Sequence, residues 1–148
     1  MSRRRLAVVA SALASAASLG AIAAPGATAG APTVKAAGSS YGTILVDGRG
    51  RTLYLFTRDG RGPSRCAGAC ARAWPPLIVR GTPVAGPGAA AGRLGTVRRR
   101  DGRLQATYGG TPLYRYVGDR RAGQILCQDV VEFGGRWLIL RPSGRAVR

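Results

Sequence analysis

The sequence predicts an all-β domain in which two pseudosymmetric meander repeats pack into one compact sandwich- or barrel-like unit, with a short helical turn near a Cys-x-x-x-Cys segment. Three observations predict it. Tyr54-Leu-Phe56-Thr-Arg-Asp59 and Tyr114-Arg-Tyr116-Val-Gly-Asp119 share the pattern Tyr-x-aromatic-x-x-Asp at an offset of 60 residues, each after a leucine, Leu53 and Leu113. The likeness continues downstream, where Trp74-Pro-Pro-Leu-Ile-Val-Arg-Gly81 parallels Trp137-Leu-Ile-Leu-Arg-Pro-Ser-Gly144. Short apolar runs are separated by Asp-Gly and Gly-Gly pairs, which supply the positive φ of tight hairpins.

Residues 1–29 read as a secretory signal peptide: Arg3-Arg4-Arg5, an apolar stretch from Leu6 to Ala24, and the small-residue site Ala27-Thr28-Ala29. Either general secretion or twin-arginine export is compatible with that basic start. Residues 30–40, rich in Ala, Gly, Pro and Ser, read as a flexible lead-in, so the secreted-repeat domain is expected over 41–148. Repeat one spans 41–80. Thr43 to Val46, a turn at Asp47-Gly48-Arg49-Gly50, and Arg51 to Thr57 form strand, turn and strand; Ala67 to Trp74 turns helically until Pro75-Pro76 ends it. Residues 81–95, eleven of fifteen being Gly, Ala or Pro, read as a surface connection without regular structure. Repeat two, 96–148, continues as a meander through Thr96 to Arg100, Arg103 to Tyr108 and Pro112 to Val117. A helical turn is expected near Val130 to Phe133 and a final hairpin after Trp137.

Along an extended strand Tyr54 and Phe56 face one way, with Leu53 and Leu55 opposite. In repeat two the second face carries Arg115, which is costly to bury without a partner, so the aromatic face with Tyr114 and Tyr116 is the expected core. The alternative is an exposed stacking platform for a flat or sugar ligand. Asp59 and Asp119 fall where each strand ends and are expected to accept backbone N–H bonds that fix turns. Were the two brought together, they could begin a cation site, given more oxygen ligands. Trp74 and Trp137 are expected to close the two ends of the core.

Charge and cysteine bound the function. The chain has a formal charge of +17, and removal of residues 1–29 leaves +14 on nineteen arginines, one lysine and six acids. Such a surface attracts polyanions. The densest clusters, Arg98-Arg99-Arg100 and Arg120-Arg121, are either solvated turns or an anion-binding face. An exported chain meets acidic wall polymers and anionic lipid headgroups rather than nucleic acid.

In an oxidising compartment the three cysteines predict one disulfide and one spare thiol. The small, glycine-centred spacer favours Cys66 with Cys70, leaving Cys127 free; a bridge from Cys127 to either earlier cysteine is the alternative. There is no histidine, and the only methionine is the first residue. Ser-His-Asp and Cys-His catalysis are thereby excluded, as are His and Met metal or haem ligation within the chain. No metal site, cofactor or catalytic residue is expected, and an aspartate-dependent hydrolase is the weakest alternative.

Taken together, Gly50-Arg-Thr-Leu-Tyr-Leu-Phe56 with Asp59, Cys66-Ala-Gly-Ala-Cys-Ala-Arg-Ala-Trp-Pro-Pro76, Pro112-Leu-Tyr-Arg-Tyr116 with Asp119, and Phe133-Gly-Gly-Arg-Trp137 resemble the bacterial secreted-repeat or predicted-lipoprotein family marked by the Tyr-x-(Phe/Trp/Tyr)-x-x-Asp motif. The resemblance covers the chain from about Tyr41 to its C-terminus. It implies an envelope-associated or secreted two-repeat domain of unassigned activity and supplies no catalytic residue. A lipid anchor needs a cysteine at the cleavage site, and the first cysteine is Cys66, so release or retention on the wall by charge is the expectation. The functional expectation is a non-enzymatic binding or structural module with a basic surface, the alternative an extracytoplasmic redox accessory using its cysteines.

Overall fold

The computed structural model describes residues 33–148; the segment read as a signal peptide lies outside them. The strands are β1 (Val34–Ser39), β2 (Gly42–Asp47), β3 (Tyr54–Phe56), β4 (Ile78–Val79), β5 (Leu94–Arg98), β6 (Leu104–Tyr108), β7 (Thr111–Pro112), β8 (Val130–Glu132) and β9 (Gly135–Ile139). A short α-helix, α1 (Ala69–Ala73), interrupts them beside the Cys66–Cys70 disulfide, and a single 3-10 turn at Ala91–Arg93 leads into β5. The chain is therefore all-β with a helical turn where Ala-rich sequence precedes Pro75-Pro76.

All strand pairing in the named sheets is antiparallel, and the repeats exchange strands. Within each repeat the first two strands form a hairpin, β1 with β2 and β5 with β6. The strand after each tryptophan then crosses over. β4 of repeat one pairs with β6 of repeat two, while Leu140, just past β9 of repeat two, accepts the Leu45 N–H of β2 at 2.8 Å. β3 pairs with β9, Phe56 opposite Trp137. Tyr54 and Tyr114 exchange backbone hydrogen bonds with each other, at 2.8 and 2.9 Å, on the pseudo-twofold axis.

Side-chain alternation along these central strands builds two cores instead of one. Ile44, Val46, Tyr54, Phe56, Trp74, Tyr114, Trp137 and Ile139 share one cluster. Leu45, Leu53, Leu77, Tyr108, Leu113 and Leu140, from the opposite faces, form another. The aromatic face is buried as expected, but the leucine face is buried too, because strand exchange covers both sides of the central strands. Arg115 on that second face is half-buried and reaches Asp47 Oδ2 with its Nε at 2.6 Å.

Five expectations change. Of the strand expected over Pro112 to Val117 only Thr111–Pro112 forms one, paired with β6, and Tyr114 makes isolated bridges to Tyr54 and Pro76. Residues 30–40 are not a flexible lead-in throughout: Val34–Ser39 is a six-residue strand in full register with β2, so the domain begins before Tyr41. The apolar positions Val34, Ala36 and Ala37, spaced among small residues, were too weak a periodic signal to mark it. The connection 81–95 is ordered along β1, with Thr33 N–H to Val84 O at 2.7 Å and Gly86 N–H to Val34 O at 2.7 Å, and β5 starts at Leu94, before residue 96. Val130–Glu132 is a strand and not a helical turn, paired with β9 across Phe133-Gly134. Trp74 and Trp137 do not close opposite ends of the core; they stack on each other at its centre.

Candidate functional site

The paired motif is assembled across the repeats. Tyr54 of repeat one donates its hydroxyl to Asp119 Oδ2 of repeat two at 2.6 Å. Tyr114 of repeat two donates reciprocally to Asp59 of repeat one. The other oxygen of each carboxylate accepts a backbone N–H from its own repeat: Arg65 to Asp59 Oδ1 at 2.7 Å and Leu126 to Asp119 Oδ1 at 3.0 Å. Both aspartates therefore fix local turns, and each also terminates a tyrosine from the opposite half. Burial pushes both carboxyls above their ordinary range, opposed by the tyrosine and backbone donors. Burial and the facing carboxylate push both tyrosine hydroxyls up, keeping them protonated as donors.

The aromatic positions complete the same exchange. Phe56 stacks on Trp137 at 4.2 Å, Trp137 on Trp74 at 4.0 Å, and Trp74 meets Tyr116 at 4.7 Å, so the column alternates between repeats. Tyr54 and Tyr114 abut Trp74 and Trp137 edge-on, each at 5.2 Å. Every ring in this set is buried except Tyr116, which is half-buried. The set has the geometry of a core and not of an open stacking platform. Asp59 and Asp119 have their oxygens engaged separately, and among the described residues no group of three or more His, Cys, Asp or Glu could hold a metal ion.

Cys66 and Cys70 form the disulfide and are both buried; Cys127 is free and half-buried. Burial pushes the Cys127 thiol up, against a hydrogen bond from Tyr116. That environment disfavours the thiolate on which redox chemistry and metal binding depend.

The five arginines singled out in the sequence separate. Arg98, Arg100, Arg120 and Arg121 are exposed, whereas Arg99 is only 7% exposed. Arg99 sits where the β5–β6 hairpin turns and donates through Nη1 to Gln105 Oε1 at 2.7 Å and to Ser64 Oγ at 2.5 Å, and through Nη2 to Cys66 O at 2.7 Å. It forms part of the wall of a surface cavity of about 620 Å³ together with Arg58, Arg65, Arg72, Arg100 and Arg103. Arg98, Arg120 and Arg121 do not line it. Arg58, Arg65 and Arg72 were missed from sequence because they lie scattered around the disulfide loop. Counting arginine over the whole stretch from Arg58 to Arg72, instead of seeking consecutive runs, would have marked it.

The six acids are already engaged. Asp47 accepts the Arg49 and Arg51 N–H groups, each at 2.9 Å, as well as Arg115. Asp59 and Asp119 hold the tyrosines. Asp101 pairs with Arg103 at 2.7 Å and Asp129 with Arg136 at 2.5 Å, while Glu132 accepts the Trp74 indole N–H at 2.9 Å.

A family model described as a secreted repeat of unknown function matches the chain twice, over residues 35–78 and 95–141. No match was found among curated proteins or among solved structures. The two matched stretches coincide with the halves that exchange strands, tyrosines and aromatic rings.

Proposed function

We propose that this chain, which belongs to the family of secreted repeats of unknown function, serves as a non-enzymatic module that holds anionic polymers of the cell envelope on its arginine surface. The observation that carries the reading is the disposition of charge. All six carboxylates are committed to partners within the fold, whereas most of the arginines face outward. Internal pairing thus leaves the exterior strongly positive, and such a field concentrates polyanions. Among the described residues no helix is long and apolar enough to cross a membrane.

The redox alternative draws less support, because the disulfide is buried and the Cys127 thiol is held protonated. The aspartate-hydrolase alternative draws less still, because Asp59 and Asp119 are buried against tyrosines. The test is retention of the protein on isolated acidic wall polymer at rising salt. Retention that falls by at least about tenfold between low and high ionic strength is expected, since exposed charges are screened within a Debye length. Retention indifferent to salt, or none at low salt, overturns the reading.

A further inference from the structure

We infer that the arginine-lined cavity beside the β5–β6 turn is a binding site for a phosphate group carried on a soluble or wall-bound molecule, with Arg99 as its fixed wall and Asp101 as a competing internal anion. The inference deepens the reading of the protein as a polyanion binder by giving it a specific site.

Arg99 carries the argument. Its Nη atoms are spent on neutral acceptors, Ser64, Gln105 and the Cys66 carbonyl. Its buried Nε has no hydrogen-bond partner among the described residues. The carboxylate it pairs with, Asp101 Oδ2, stands 3.7 Å from that Nε, beyond hydrogen-bonding distance, and is itself bonded to Arg103. The Nε is shielded inside the wall and its charge is shared with Asp101 and the buried Asp59, so what Arg99 gives an anion in the cavity is a fixed positive charge and not a free N–H. The same bonds also hold it in place. Ser64 links Arg99 to the Tyr114 hydroxyl at 2.7 Å, and Tyr114 is anchored on Asp59, so the guanidinium is pre-organised by the core.

The surroundings select the ligand. Five further arginines line the cavity, with Asp101 the one acid among its lining residues. A tetrahedral phosphate presents acceptor oxygens in several directions and can engage forks from more than one side, whereas a carboxylate offers one planar edge. No lining residue is a hydrophobe larger than alanine, so nothing here would insert into a bilayer. At about 620 Å³ the cavity leaves room for the group that carries the phosphate.

Titration of the full protein with inorganic pyrophosphate by calorimetry tests the site. Saturable one-to-one binding is expected, weakened about two- to fivefold by Arg72→Ala or Arg100→Ala, as for loss of one solvent-exposed ion pair. Asp101→Asn should tighten it by removing the competing anion, and Arg120→Ala with Arg121→Ala should leave it unchanged. The exposed arginines carry the test because Arg99→Ala removes buried bonds and endangers the fold. No saturable binding, or equal losses in the cavity and Arg120/Arg121 variants, overturns the site. Salt-sensitive retention on wall polymer that persists in those same variants would then leave only the general surface reading standing. Pyrophosphate binding at the cavity without polymer retention would do the reverse. Cavity-dependent binding to phosphatidylglycerol vesicles that pyrophosphate fails to displace would overturn the soluble ligand in favour of a membrane.

Discussion

Tyr54 and Tyr114 each carry a hydroxyl into an aromatic core, and each ends on a carboxylate supplied by the other repeat. Tyr54→Phe or Tyr114→Phe removes one donor from a buried carboxylate and should cost about 1–3 kcal/mol in urea unfolding. Adding Asp119→Asn to Tyr54→Phe should recover part of the loss, giving a non-zero coupling energy in the double-mutant cycle; additive effects would show the pair to be uncoupled. The carboxylates also set the pH response. Burial raises Asp59 and Asp119 above the ordinary 3.8, so the folded state binds their protons more tightly than the unfolded chain. Their ionisation therefore costs stability as pH rises from 3.8 through the raised folded values, and acidification relieves that cost. Asp47 runs the other way. Burial opposes its ionisation, but the Arg51 and Arg49 N–H groups and the Arg115 charge hold its carboxyl below 3.8, so its contribution is present above 3.8 and lost as pH falls through the folded value. Urea midpoints across pH should show Asp59→Asn with Asp119→Asn losing the neutral-side decline and Asp47→Asn losing the acid-side one. Unchanged profiles would contradict these assignments.

β9 shows how an element is fitted to its neighbours. Gly135 opens it opposite Glu132, and a Cβ there would stand 2.4 Å from the Phe56 ring and 2.8 Å from Arg58 Cγ. Phe56 cannot retreat because it stacks on Trp137, which stacks in turn on Trp74. Gly135→Ala should therefore cost about 1–3 kcal/mol by overpacking, seen as a lowered Tm; an unchanged Tm would mean that the column yields. Alternation and turn chemistry made β2, β3, β6 and β9 legible in the sequence. β1 was not legible, because Ala36, Ala37 and Gly38 resemble linker composition and are ordered only by pairing with β2 and contact with 84–87. β8 was missed for a similar reason: its residues are mostly exposed and gain strand geometry from the β9 hairpin, whose turn places Phe133 at φ 55.

Over the whole molecule, the repeats are interlocked and neither can complete its own core. β4 pairs with β6, β3 with β9, and each motif tyrosine needs the opposite aspartate. Residues 33–86 and 87–148 expressed separately should each lack native near-ultraviolet circular dichroism and regain it on mixing. A native-like signal from either half alone would refute the interlock. The sequence by itself determined the all-β class, the two copies, the favoured disulfide and the positive charge, because repeats, turn residues, cysteine spacing and composition are local properties. It also pointed to the aromatic face as buried. Only the tertiary structure decided that tyrosine and aspartate pair across repeats, that the tryptophans meet at the centre, and that Arg99 leaves its consecutive neighbours to join arginines scattered around the disulfide loop. Those are contacts between residues about 30 to 65 positions apart. Strand exchange creates them, and no local pattern encodes which half of a pseudosymmetric chain will supply the partner.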